Sequence, residues 1–186
     1  MLGGVQLSLK IGPVPITPPH EVADALVHAK VESGSGGAQS GFELVFELPA
    51  RSPLRTLFLL SGGGSLPLMR VVLIVTINGS AQSIVDGITT NVETQPGEGG
   101  VSRLVVKGKD LSALMDLIEI PGLPFPAMPP SVRVLLILAK YAALGVIPMV
   151  IPSILDIPPL PIQQIPSQRG SDYAYVQRLA SQAGYV

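Results

Sequence analysis

Eleven of the nineteen prolines fall between Pro121 and Pro166. Proline holds φ near −65° and has no N–H to donate, so this stretch can supply neither a central sheet strand nor a long helix. The widest gap between its prolines admits one helix. Val132, Leu135, Leu136, Ala139, Ala142 and Ala143 form an apolar stripe there, with Ser131 as the expected N-cap and Gly145 as the expected close. Residues 146–167 hold six prolines among Ile, Leu and Val and read as an extended strap. So much apolar surface is costly in water, so the strap is expected to lie buried against the protein.

The same region contains the strongest membrane candidate, residues 132–155. A spanning helix needs about 20 uninterrupted apolar residues. Here Lys140 sits near the middle, and Gly145, Pro148 and Pro152 break the helix. A buried helix followed by an extended segment is the expectation, without stable membrane insertion. Met1–Lys10 lacks the basic and long apolar regions of a signal peptide.

Composition narrows the classes further. Hydrophobic residues make up 47% of the chain and charged residues 13%, about half the usual share. That is the reverse of a disordered chain. A net charge of −1 argues against specific nucleic-acid binding, which needs a basic surface. With no cysteine, there are no disulfides, thiolate zinc sites or cysteine nucleophiles, and two histidines leave little for imidazole chemistry. A weakly charged apolar surface is best kept soluble by neighbouring subunits.

Up to about residue 110 the pattern is β. Gln6–Ile11, Ala25–Glu32 and Gly41–Leu48 alternate with period 2, and the second and third of these read as a hairpin around the turn 33–37. Prolines 13, 15, 18 and 19 imply an extended connection between the first two. Arg70–Ile77 is almost wholly β-branched or Leu, which suggests burial on both faces. Asn78-Gly79 is the strongest hairpin-turn signal, with Ser83–Glu93 as the returning strand and a bulge expected at Asp86-Gly87. Residues 49–68 read as loop, and residues 96–100 as a turn before a strand over Ser102–Lys109. Six or seven short strands imply a small barrel or sandwich.

At Asp110 the period changes. Leu111, Leu114, Met115 and Ile118 are spaced for a short helix capped by Asp110. A last helix starts at Ser171, presents Val176, Leu179, Ala180 and Ala183 on one face, and closes at Gly184. The fold class is thus mainly β with α: a β-barrel, tube-like domain over 1–110, then a helical and proline-rich segment over 111–186. Tyr185-Val186 reads as the start of a further strand, so more polypeptide is expected to follow.

Catalytic groupings are weak. His20 and His28 lie near Glu21 and Asp24 but read as surface histidines, and Asp110 and Asp116 read as a cap and a helix-surface charge. Gly62-Gly63-Gly64-Ser65 lacks the strand, lysine and helix of a phosphate loop, and Gly34-Ser35-Gly36 sits in a turn rather than a nucleophile elbow. No enzymatic activity, metal or cofactor is expected. Lys30, Arg70, Arg103, Lys107 and Lys109 read as a solvated or subunit-facing set.

Three ordered segments carry a family resemblance. Gly170-Ser-Asp-Tyr-Ala-Tyr-Val-Gln-Arg-Leu-Ala-Ser-Gln-Ala-Gly184 resembles the Gly-x-Asp-x-x-Tyr/Phe-Val-x-Arg-Leu-Ala…Gly segment of baseplate hub proteins. These include late control D proteins of contractile phage tails, hubs of phage-like injection systems and the valine–glycine repeat spikes of type VI secretion. Asp86-Gly87-Ile88-Thr89 resembles the family's "DGIIT"-like strand, and Leu104–Asp116 its strand-to-helix step. The matched segments span residues 86–186, and the resemblance implies a second barrel following the Tyr185-Val186 position.

The resemblance implies a structural hub subunit, a homotrimer whose ring adapts the sixfold tail tube to the central spike. Its implied partners are the tail tube protein, the spike or tip protein and other baseplate subunits. The implied location is a virion tail baseplate or phage-like injection particle assembled in the cytoplasm. Tube-building surfaces are expected on strands 70–77 and 102–109, through Arg70, Val72, Ile74, Arg103, Val105 and Lys107. The last helix adds Asp172, Tyr175 and Arg178 as interaction candidates. Two other readings stand beside it: a β-rich ligand- or peptide-binding domain, and a membrane-associated protein anchored through residues 132–155.

Overall fold

Asn78 and Gly79 adopt φ of 51° and 83°, the two positive values a type I′ hairpin turn requires and that Asn-Gly supplies at little cost. The turn joins β4 (Arg70–Ile77) to β5 (Ser80–Pro96). The computed structural model describes residues 4–34, 38–48, 69–96, 101–117, 119, 122–154, 156–162 and 164–185. The expected loop over 49–68 and the glycines of the turn at 97–100 lie outside them.

Two compact units make up the chain, Met1–Asp110 and Leu111–Val186. The first contains β1 (Val5–Gly12), α1 (His20–Asp24), β2 (Leu26–Glu32), β3 (Gly41–Leu48), β4, β5 and β6 (Ser102–Asp110). The six strands form one antiparallel sheet in the order β1-β4-β5-β6-β3-β2. Both edges feed one apolar cluster, Leu9 and Ile11 from β1 and Ala29 and Val31 from β2, so the sheet is rolled as a half-barrel around its inner face. Phe42, Leu44, Phe46 and Leu48 alternate into this core, opposite Leu104 and Val106 of β6.

Several local expectations change. The connection after β1 is not wholly extended: His20–Asp24 is one helical turn, and Val22 buries its side chain in the core. A register shift between Leu26 and His28 leaves Val27 exposed, because one extra residue reverses the face of a strand. Strand β4 is buried on one face only. Val71 and Leu73 point inward, while Val72 and Ile74 stay half-buried on the other side.

The irregularities of β5 fall at Ile84 and Thr90, the residues skipped where Leu73–Ile74 and Gly108–Lys107 pair with it. Gly87 serves a different need. A Cβ there would sit 2.1 Å from the Lys109 carbonyl oxygen, so only glycine lets β6 approach. Gly87→Ala is expected to cost about 2–3 kcal/mol through overpacking, whereas Gly4→Ala, with nothing within 4 Å, is expected to be neutral. Urea unfolding midpoints check this, and equal midpoints would show that the two strands can relax apart.

Asp110 is the last residue of β6 rather than a helix cap. Its Oδ2 accepts from the Ser40 amide at 2.7 Å, and its own amide donates to Ser40 O at 3.0 Å. Leu111–Asp116 then forms a 3₁₀ turn instead of an α-helix.

In the second unit, α2 (Pro130–Ala139) begins at Pro130, and Ser131 lies inside its first turn. Asp156, from the strap, caps the helix instead: it accepts from the Ser131 amide at 2.9 Å and from its hydroxyl. The expected apolar stripe lies on the outer side, with Val132, Leu135, Leu136, Ala139, Ala142 and Ala143 all exposed. The face turned inward is Arg133, Ile137 and, partly, Tyr141. Apart from Arg133, both faces of Ser131–Ala139 are apolar, so periodicity alone cannot choose between them.

The last helix, α3 (Asp172–Gln182), starts as expected: Ser171 Oγ accepts from the Ala174 amide at 3.1 Å, and Gly184 follows with φ of 79°. Ser171 also donates to Asp116 at 2.5 Å, tying the 3₁₀ turn to the cap. Met115, Phe125, Ile137, Tyr175 and Leu179 form the unit's core. Residues 122–125 and 166–168 run side by side, joined by Phe125 N–Pro166 O at 2.8 Å and Gln168 N–Leu123 O at 2.9 Å.

Candidate interaction surfaces

The outer face of the half-barrel carries Arg70, Val72 and Ile74 on β4 and Arg103, Val105 and Lys107 on β6. Register sets two β6 cations directly opposite β3 anions, Arg103 with Glu47 at 3.2 Å and Lys107 with Glu43 at 3.8 Å, whereas Lys109 lies opposite Gly41. Val105 faces Val45 between the two pairs but is buried within the protomer, so it is not available as a contact in the way Val72 and Ile74 are. Arg70 grips Asp86 with two hydrogen bonds of 2.6 Å, from Nε and Nη2. Hydrogen bonding to Asp86 raises the Arg70 pKa further, against the opposing effect of burial.

Each of these three cations is therefore neutralised within the protomer. The exposed pairs made by Arg103 and Lys107 contribute about 0–1 kcal/mol each to stability. What they produce is an electrically balanced face with apolar Val72 and Ile74 half-buried in it, rather than a basic groove. His20 and His28 are exposed on α1 and β2. Among the described residues no group of three or more His, Asp or Glu is placed to hold a metal ion.

The three candidates on α3 are brought together around the core of the second unit. Asp172 is 1% exposed. It accepts from Tyr141 Oη at 2.7 Å and Gln168 Nε2 at 2.5 Å and pairs with Lys140 Nζ at 2.6 Å. Burial pushes its pKa up, but hydrogen bonds from Lys140, Tyr141 and Gln168 outweigh it and hold the carboxyl below its ordinary value. Burial, then the bond to Asp172, pushes the Tyr141 phenol well above its usual range.

Tyr175 is likewise buried. Its ring stacks on Phe125 with centroids 5.7 Å apart, the Arg178 guanidinium lies 5.0 Å from the ring centroid, and its hydroxyl accepts from Arg133 Nη1 at 2.8 Å. Asp172 and Tyr175 hold the unit together from inside, while Arg178 is exposed at its surface.

Sequence reasoning missed the most conspicuous surface. The strap is not buried: Ile147, Met149 and Ile151 are 87%, 83% and 73% exposed. Ile154, Ile157, Leu160 and Ile162 are exposed as well. Val146, Pro148 and Val150 alternate with them on the half-buried side. Together with the outer stripe of α2, this makes the second unit unusually apolar outside. Residues 146–151 are apolar without exception, so the alternation of exposed and half-buried side chains arises in the fold and left no signal in the sequence. An apolar groove of about 360 Å³ runs between the strap, α2 and α3, with Val134, Leu138, Met149 and Leu179 among its walls.

No family model and no curated protein matches this chain. Its fold is similar to that of the tail protein from Neisseria meningitidis MC58, with a TM-score of 0.58 at 15% identity, over 98% of this chain and 48% of that one. It is also similar to a chain of the half-lidded Francisella PdpA-VgrG complex, with a TM-score of 0.52 at 14% identity, over 96% of this chain and 28% of that one. The likeness is one of fold. The chain spans about half the length of the first protein and less than a third of the second. The mainly β class with helical segments is thus shared with a tail protein along nearly all of this chain. Among the described residues no helix is long and apolar enough to cross a membrane; α2 has ten residues, about 15 Å against a hydrocarbon core of about 30 Å.

Proposed function

We propose that this protein is a structural subunit of a contractile tail or injection apparatus, at the hub where the tail tube meets the central spike. It acts by assembly and not by chemistry. Three copies form a ring, docked to a tube protein on one side and a spike or tip protein on the other, with further baseplate subunits around them. The particle is a virion tail or a phage-like injection device.

The observation that carries this reading is the fold likeness to a tail protein over 98% of the chain. The likeness to a chain of a PdpA-VgrG complex supports a spike-type partner. The exposed apolar strap supports burial against other subunits, since monomeric soluble proteins rarely leave contiguous apolar patches of this kind in water.

Mass photometry of the purified chain, alone and with candidate tube and spike proteins, tests it. The expected species has three times the 19.4 kDa protomer mass, and electron micrographs of the particle should place it on a threefold axis. A strictly monomeric chain at concentrations where its partners assemble would overturn the reading. That outcome would favour a ligand- or peptide-binding domain, whose supporting feature is the apolar groove of about 360 Å³ in the second unit.

A further inference from the structure

A second cleft in the Leu111–Val186 unit, of about 430 Å³, brings Arg133 of α2, Arg178 of α3 and Arg169 of the intervening segment to one place. Gln164, Ser167 and Gln182 add neutral polar groups, and no carboxylate lines the cleft among the described residues. Among the described residues none of the three arginines has an ion-pair partner. This differs from the sheet face, where Arg70, Arg103 and Lys107 each meet an acid.

Arg133 makes the arrangement informative. It is 7% exposed, its Nη1 donates to the neutral Tyr175 hydroxyl, and its Nε is buried with no hydrogen-bond partner among the described residues. A guanidinium taken out of water against neutral partners is unfavourable until a counter-charge arrives. Arg178, resting on the same tyrosine ring, adds a second positive charge nearby, and like charges in one cleft raise the cost further. An anion entering the cleft relieves both. The guanidinium fork donates in pairs to the oxygens of a carboxylate or phosphate group.

We propose that this cleft is an oxyanion-binding site, taking a carboxylate or phosphate group between Arg133, Arg169 and Arg178. The group arrives either as a free ion or as an acidic side chain of a partner polypeptide. The site does not depend on the hub reading, and its test needs no partner from the particle.

Thermal unfolding and calorimetric titration of the full chain with inorganic phosphate, with a tetraglutamate peptide and with chloride at matched ionic strength provide that test. Phosphate or the peptide, but not chloride, is expected to raise the melting temperature and to titrate at one site per chain. Saturation by phosphate marks a free-ion site, and saturation by the peptide alone marks a docking point for a partner's acidic segment. Arg169 is exposed, so R169Q should melt like the parent without anion yet bind the effective probe about tenfold more weakly. R133K, which keeps the charge but loses the fork, should weaken binding at least as much. Shifts no larger than chloride gives, or unchanged affinity in R169Q, would overturn the proposal.

Discussion

Serine at Ile147, Met149 and Ile151 together is expected to leave the protomer folded and to abolish its self-association. These side chains are 87%, 83% and 73% exposed, so removing them takes little from the isolated chain, and the melting temperature of the monomer should stay within a degree or two. In the proposed ring they are covered by a neighbour. Burying each is worth about 1.5–3 kcal/mol by transfer, although ordering costs return only part of that as affinity. A net loss near 3 kcal/mol already weakens association more than a hundredfold. Mass photometry of parent and triple variant at the same concentration decides it: a triple variant that trimerises like the parent would remove the strap from the interface.

Asp172→Asn is expected to destabilise the second unit by about 3 kcal/mol at neutral pH, the lower end for breaking one side of a buried ion pair. The carboxylate is 1% exposed and holds three donors, from Lys140, Tyr141 and Gln168. An asparagine keeps the shape but turns an NH₂ toward donors and leaves Lys140 without its anion. The lower end applies because Lys140 is 37% exposed and recovers water when released.

The pH dependence follows with a definite sign. The folded pKa of Asp172 lies below its ordinary value, so its contribution is present above the unfolded carboxyl pKa of about 3.9 and fades as pH falls through the folded value. Urea midpoints of parent and D172N should therefore differ most near pH 7 and converge only once the pH has fallen through the folded value of the Asp172 carboxyl. A constant difference across that range would show that the charge of Asp172 is not what matters. At the alkaline end the raised Tyr141 pKa acts oppositely: its contribution is present below the ordinary phenol pKa of about 10 and is lost as pH rises through the folded value.

Much of the β half was legible because its determinants are local. Alternation places Phe42, Leu44, Phe46 and Leu48 on one face whatever the strand pairs with. Asn78-Gly79 makes its turn from its own backbone preferences. The candidate residues were legible as strand positions, but their neutralisation was not. Only the register β4-β5 and β6-β3 brings Asp86 to Arg70, Glu47 to Arg103 and Glu43 to Lys107. The arginine cleft was invisible to linear reading, because its members come from three segments more than thirty residues apart at the extremes.

By itself the sequence determined where the chain is strand, turn or proline-stiffened, and that Ser171 caps the last helix, since each depends on φ/ψ preferences and neighbours a few residues away. Tertiary structure alone decided which face of Pro130–Ala139 is inside, that the strap stands out in solvent, and that Asp172 is an interior anchor. In those cases both alternatives satisfy the local rules equally. Ile137 is as apolar as Leu136, and the choice falls to contacts such as Arg133 with Tyr175 and Asp156 with Ser131, made between residues at least 25 positions apart.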